Sequence, residues 1–298
     1  MDKISKMNST IDINRPILNR FVKIYQKNRL AHAYLLAGPK GIGKVKTALS
    51  LAKLLNCVNN PVDTNSFFCD QCPACLKINS GNHPDVHFLE AQDGSIKIEQ
   101  IRGLIDRINL KPFEARIKIF ILKDIENLTL EAANCLLKTL EEPSRGSLLL
   151  LTTRFLEKNL STIRSRCQLV WLALTPKDQL ARALESGYHV DQIQSHFFAH
   201  FSQGSLGRAL TLNEEKFFDK KNEFIDQFII TRFGVPSALM FDNASYVLGN
   251  VITEIALKRG FKLKYSANYY PQGNGFVEST NKNLIRIIKR IVDQSQKN

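Results

Sequence analysis

Three groups of residues have the types and spacing to do chemistry. The first is the run Gly38-Pro-Lys-Gly-Ile-Gly-Lys44-Val45. Glycines at Gly38, Gly41 and Gly43 let backbone N–H groups close around phosphate oxygens, and Lys44 brings a cation to the terminal phosphates. Such a loop ordinarily follows its lysine with a hydroxyl that binds Mg²⁺, whereas Val45 offers only methyl groups and Thr47 comes two residues late. The expectation is a site that can take ATP but has lost one Mg²⁺ ligand, with hydrolysis impaired. The second group is Cys57, then eleven residues, then Cys69-Asp-Gln-Cys72-Pro-Ala-Cys75. Tight Cys-x-x-Cys spacing brings thiolates to one tetrahedral ion, and a distant fourth sulfur closes the shell, which points to structural Zn²⁺. A reduced, metal-free loop and a redox dithiol are the alternatives. Cys135 and Cys167 lie outside the set and read as small buried hydrophobes. The third group, Asp124, Glu126, Arg166, Arg208, Asp242 and Glu278, is singled out only by the two resemblances described below.

The elements that must position these groups follow from periodicity. A helix is predicted over 14–28, a short apolar strand over 33–37, and a helix over 44–55. The phosphate loop therefore lies between strand and helix, the context that makes such a match credible. Beyond the cysteines come a strand at 86–90, a helix at 98–109, a strand at 118–122, a helix at 129–140 stopped before Pro143, and strands at 148–152 and 168–172. Alternation of this kind predicts a parallel sheet covered by helices. Past Pro176 the pattern turns helical to about 212. From 222 the texture changes again: helices at 224–233 and 248–259, a short strand at 237–241, a Gly/Asn/Pro-rich loop at 269–275, and a last basic helix.

Composition sets outer limits. With 298 residues, 44 % hydrophobic and 23 % charged, the chain is large enough for roughly two or three folded domains and is unlike a disordered one. A formal charge of +13 favours an anionic partner. No apolar run approaches the roughly 20 residues of a membrane helix, and the charged N-terminus has no apolar signal segment behind it, so a cytoplasmic location with no membrane partner is expected.

Several motifs occur in order: 30–44 (Leu-Ala-His-Ala-Tyr-Leu-Leu-Ala-Gly-Pro-Lys-Gly-Ile-Gly-Lys), the four-cysteine insertion, Gly81-Asn-His-Pro-Asp85, 132–143 (Ala-Ala-Asn-Cys-Leu-Leu-Lys-Thr-Leu-Glu-Glu-Pro) and Thr162-Ile-Arg-Ser-Arg-Cys167. Together they resemble delta-prime-type subunits of bacterial DNA polymerase III clamp loaders over residues 1–212. The resemblance implies an AAA+ P-loop domain (1–173) carrying a zinc module (57–75), followed by a small helical lid (174–214). Motor subunits of that family place Asp-Glu after the strand that follows the loop. Here the sequence is Asp124-Ile125-Glu126, so the second acidic position is Ile125 and Glu126 is expected to point elsewhere. Arg166 matches the family's arginine that reaches into a neighbour's ATP site, with a surface arginine on the strand leading to Gln168 as the alternative. Arg208 matches the lid arginine that approaches bound phosphate, with an ordinary helix start as the alternative. The implied partners are motor and delta subunits, the sliding clamp indirectly, and primer–template DNA.

Residues 222–298 carry a second resemblance. Arg232-Phe-Gly-Val-Pro236, Phe241-Asp-Asn243 and 269–281 (Tyr-Tyr-Pro-Gln-Gly-Asn-Gly-Phe-Val-Glu-Ser-Thr-Asn) resemble the second half of a retroviral-type integrase or transposase core, a ribonuclease H-like fold. It implies Asp242 and Glu278 as the last two of three metal-holding acids, with 35 residues between them. The first acid has no visible counterpart, so Mg²⁺-dependent strand transfer is not expected. The expected architecture is thus α/β: an AAA+ domain with a zinc insertion, a helical lid and a partial integrase core. The expected function is a non-hydrolysing clamp-loader stator. The rivals are a metal-dependent integrase and an inactive fusion product.

Overall fold

A computed structural model describes residues 15–59, 67–144, 146–155 and 161–220, with the backbone of two further strands at 238–241 and 262–265. The chain divides into two compact units, 1–189 with 203–208, and 190–202 with 209–298.

The first unit is a five-stranded sheet in the order β2-β3-β4-β1-β5, every neighbouring pair parallel. The strands are β1 (Ala33–Ala37), β2 (Val86–Leu89), β3 (Lys118–Leu122), β4 (Ser147–Thr153) and β5 (Gln168–Trp171). Every residue of β1, β3 and β4 is buried, which is why these segments read as continuous apolar runs rather than alternating ones. Strand alternation still sorts them by face. Leu36, Ile119, Ile121, Leu148 and Leu150 join one core with Leu18 and Phe21 of α1 (Arg15–Gln26) and Leu51 and Leu55 of α2 (Lys44–Asn56). Leu35, Phe120, Leu122, Leu149 and Leu151 join another with Ile101 and Leu104 of α4 (Ile98–Asn109) and Leu136 and Leu140 of α5 (Leu130–Glu141).

The sequence-predicted elements of this unit are found within a residue or two of their expected ends. Among the elements that escaped prediction, α3 (Pro73–Ser80) lies where a cysteine loop was expected. Pro73 at its first position supplies a helical φ, and Gly81 ends it in the left-handed region. The helix is only eight residues long, too short to show in periodicity. Residues 161–166, for which no element was expected, form a short helix, α6 (Ser161–Arg166), so Arg166 ends a helix and the alternative that set it on the strand leading to Gln168 does not hold. Thr129 caps α5 by accepting the Ala132 N–H at 3.2 Å. After β5 come α7 (Lys177–Tyr188), α8 (Gln192–Phe201) and α9 (Leu206–Glu214).

Two buried polar side chains fix the loop that enters β3. The Asp85 carboxylate accepts backbone N–H bonds from Phe113, Glu114 and Ala115 at 2.7–2.9 Å. Asn56, the last residue of α2, accepts from Arg116 and Ile117 and donates to the Ile117 carbonyl. In the second unit Phe197 of α8 packs its ring against Phe198, Phe201, Phe217 and Phe218. The backbone strands β6 (Ala238–Phe241) and β7 (Lys262–Tyr265) pair in parallel. The helices expected at 224–233 and 248–259, the loop at 269–275 and the last basic helix lie outside the described residues.

Burial raises the Asp85 carboxyl pKa, but its three N–H partners outweigh burial and hold it below the ordinary 3.8. A depressed carboxylate stabilises the fold above its unfolded pKa and loses that contribution as pH falls through the folded value. Asp85→Asn is predicted to lower the urea-unfolding free energy by roughly 1–3 kcal/mol at pH 7. The gap from wild type should narrow as the pH is taken below about 4; a gap independent of pH would show that the charge contributes nothing.

Candidate functional site

The phosphate loop connects β1 to α2. Its first glycine donates from Gly38 N to the Thr153 carbonyl at 3.2 Å, which ties the loop to the end of β4. Gly41 and Gly43 have φ of 78° and 96°, the left-handed region where glycine carries no Cβ penalty. The Lys44 ammonium is buried and donates to the carbonyls of Gly38 and Pro39 at 2.7 and 2.8 Å. Burial pulls its pKa below the usual lysine value, against the opposing pull of Asp124 and Glu126. The late hydroxyl does not replace the missing one, because Thr47 Oγ1 donates to the Gly43 carbonyl of its own helix at 3.0 Å.

The acidic residues are held by a residue the sequence did not single out. Asp124 leaves β3 in the left-handed region, φ 52°, and its N–H donates to Thr152 Oγ1 at 2.9 Å. A 3-10 turn (Ile125–Asn127) then carries Glu126 to Arg154, the residue that follows β4. Arg154 Nε donates to Glu126 Oε1 at 2.7 Å and lies 3.9 Å from Asp124 Oδ2. Burial alone would raise the Glu126 carboxyl pKa, yet the Arg154 bond, with further hydrogen bonds, holds it below the usual range. The other oxygen, Oε2, is buried with no hydrogen-bond partner. The loop fits a nucleotide's phosphates. Its surroundings do not fit a protein-held Mg²⁺: Val45 has no hydroxyl, Thr47 is committed to its helix, and a guanidinium faces both carboxylates.

The segment 203–208 lies directly on the loop. Gly207 N donates to the Gly41 carbonyl at 2.8 Å, and Ser205 Oγ donates to the Lys40 carbonyl at 3.1 Å. A methyl group built on Gly207 would sit 2.8 Å from the Gly41 Cα and carbonyl oxygen, so no side chain fits at 207. Arg208 is carried to the loop by this contact, its backbone N–H donating to Ser205 Oγ.

The four cysteines come together. Cys57 caps the end of α2, Cys72 precedes α3 and Cys75 lies in its first turn. Their sulfurs all lie within 4.8 Å of one another, with Cys57–Cys69 at 3.5 Å and Cys57–Cys72 at 3.9 Å. A tetrahedron of about 2.3 Å Zn–S bonds has an edge of roughly 3.8 Å, so the donor set fits Zn²⁺. Burial would raise the Cys72 thiol pKa, but backbone hydrogen bonds involving Cys75 and Val58, helped by the Cys75 and Cys69 sulfurs, bring it to about 6. Burial holds Cys57 and Cys75 up. One proton thus leaves readily, and a bound Zn²⁺ would draw off the others. Lys53 braces the loop, pairing with Asp70 at 2.7 Å and lying 3.9 Å from the Phe68 ring centroid.

Arg166 ends α6 partly exposed. Its Nη1 donates to the Thr162 carbonyl at 3.0 Å and to Ser165 Oγ at 3.2 Å, and Nη2 pairs with Glu141 at the end of α5. Asp242 and Glu278 lie outside the described residues.

Residues 13–175, more than half of the chain, match the family described as DNA polymerase III, delta subunit. The chain belongs to this family. It is 40 % identical over 161 residues to the DNA polymerase III subunit delta' of Bacillus subtilis (strain 168), across 54 % of this chain and 48 % of that protein. To the subunit delta' of Pseudomonas aeruginosa it is 37 % identical over 169 residues, 52 % of this chain and 51 % of that one. To the DNA polymerase III subunit gamma of Buchnera aphidicola subsp. Schizaphis graminum it is 31 % identical over 219 residues, 72 % and 59 % respectively. The chain spans about half the length of the curated relatives it matches. Among the described residues no helix is long and apolar enough to cross a membrane.

For this delta-subunit family member, sequence reasoning missed Arg154, Glu141 and Gly207. An arginine directly after a buried strand was the visible signal for the first; the other two had none without tertiary contacts. Cys72→Ser is predicted to lose stoichiometric zinc by elemental analysis and to loosen 57–75 toward protease, while the five-stranded sheet keeps its circular-dichroism signal. Retention of full zinc content would overturn the four-sulfur assignment.

Proposed function

We propose that the chain is a delta-prime-type clamp-loader subunit of DNA polymerase III that does not hydrolyse ATP itself and presents Arg166 to the ATP site of a neighbouring motor subunit. The observation that carries this reading is the state of the acids opposite a well-formed phosphate loop: both Asp124 and Glu126 face Arg154, and Val45 supplies no hydroxyl. A motor needs a free carboxylate to orient water and a held metal to neutralise charge. Arg166 has the opposite character, a guanidinium at an exposed helix end. Its pairing with Glu141 is half-exposed, and such pairs contribute about 0–1 kcal/mol. An arginine finger is worth about 10³–10⁵ in rate, so exchanging Glu141 for a neighbour's phosphate is readily offset.

On this reading the partners are motor and delta subunits, the sliding clamp through them, and primer–template DNA, in the cytoplasm. The zinc module serves structure, because a shell of four sulfurs leaves no position open for substrate. Residues 222–298 are read as an integrase-core remnant in which Asp242 and Glu278 lack the third acid. Mg²⁺-dependent DNA strand transfer is not expected from it.

The test is DNA- and clamp-stimulated ATP hydrolysis by the motor and delta subunits of the same source, mixed with wild-type chain or Arg166→Ala. Wild type should stimulate, and Arg166→Ala should reduce that stimulation by at least about tenfold with an unchanged melting temperature. Equal stimulation by both proteins would overturn the role of Arg166.

A further inference from the structure

The charge cluster opposite the loop has a use that hydrolysis does not require. Arg154 follows Thr153, whose carbonyl accepts the Gly38 N–H, so its backbone lies one residue from the loop's anchor on β4. Its positive charge also acts, with burial, to lower the Lys44 pKa. Arg154 Nε is occupied by Glu126, whereas neither Nη nitrogen has a hydrogen-bond partner among the described residues. Those two donors are arranged as the fork that matches phosphate oxygens.

We propose that Arg154 takes the place of the magnesium ion: with Lys44 and the loop N–H groups it forms a metal-independent site for the β and γ phosphates of a nucleoside triphosphate, which the chain holds without cleaving. Three observations point the same way. The divalent ion has lost its hydroxyl ligand at Val45, and its carboxylates face a fixed cation that would repel it. Cations outnumber acids near the loop in sequence and contact, with Lys40, Lys44, Arg154 and Arg208 against Asp124 and Glu126, so the surroundings are net positive and offset part of the triphosphate charge without metal. Finally, the guanidinium that meets the phosphates also engages Glu126 Oε1, while Oε2 is shut away from solvent. Glu126 is therefore not free to activate water. Lys44 would exchange its bonds to the Gly38 and Pro39 carbonyls for phosphate oxygens.

The inference rests on the phosphate-loop reading and not on the presentation of Arg166, so the two can fail separately. The full-length protein is titrated with a fluorescent ATP analogue in excess EDTA and again in excess Mg²⁺. Wild type should bind in EDTA about as tightly as in Mg²⁺. Arg154→Ala should weaken binding in EDTA by about tenfold or more, and Arg154→Lys by less. Glu126→Gln, which removes the guanidinium's carboxylate counter-charge, should bind at least as tightly as wild type. If Arg154→Ala fails to fold, as judged by thermal melting, the wild-type EDTA comparison and Glu126→Gln decide the matter. A wild-type affinity that collapses in EDTA, binding untouched by Arg154→Ala, or no binding under either condition would each overturn the inference. The last outcome, with Arg166-dependent stimulation of a neighbour intact, would leave the clamp-loader reading standing.

Discussion

The parallel pairing of β1 with β4, which ends in the hydrogen bond from Gly38 to the Thr153 carbonyl, is the constraint on which the site depends. It aligns two strands that meet no water on either face, so their register cannot slip without exposing apolar side chains or stranding backbone donors. One strand hands the chain to the glycine loop and Lys44, and the other hands it to Arg154. Glu126 and Asp124 arrive from β3, whose pairing with β4 runs from Lys118 opposite Ser147 to Leu122 opposite Leu151. Three strand ends at one edge of the sheet thus deliver every charged group of the cluster, consistent with the rule that parallel sheets place ligands outside their carboxyl ends.

The two ends of α2 bind the rest of this unit to that frame. The phosphate loop leads into its first turn, and at its other end Asn56 and the capping Cys57 hold the loop into β3 and the cysteine cluster. Zinc, where bound, would therefore stiffen a helix whose other end faces phosphate. The contact of Gly207 with Gly41 adds a second restraint from the opposite side. Together these restraints give the loop a set shape before any phosphate arrives, which lowers the ordering cost of binding.

Arginine carries both proposed activities, and the contrast between the two residues is instructive. Arg154 has its Nε committed to a carboxylate that is nearly buried, a charge pair strengthened by its low-dielectric surroundings. Arg166 leans on an exposed carboxylate across a helix end, a contact weak enough to be exchanged. The first suits a fixed element of a binding site and the second a group that must move to a new partner.

Much of this was legible in the chain itself. Continuous apolar runs such as 118–122 and 148–152 predicted buried parallel strands, helical spacing predicted α2, α4 and α5, and glycine placement predicted a tight loop between β1 and α2, because backbone sterics and burial act over a few residues. The cysteine spacing predicted the sulfur cluster for the same local reason. Only tertiary structure decided what Glu126 and Arg154 do, since they stand 28 residues apart and meet because β3 and β4 are neighbours in the sheet. It also decided that Arg166 ends a helix and leans on Glu141, and that Gly207 rests on Gly41. Side-chain charges and close backbone contacts of this kind leave no periodic trace, so their partners are set by the register of the sheet rather than by any pattern along the chain.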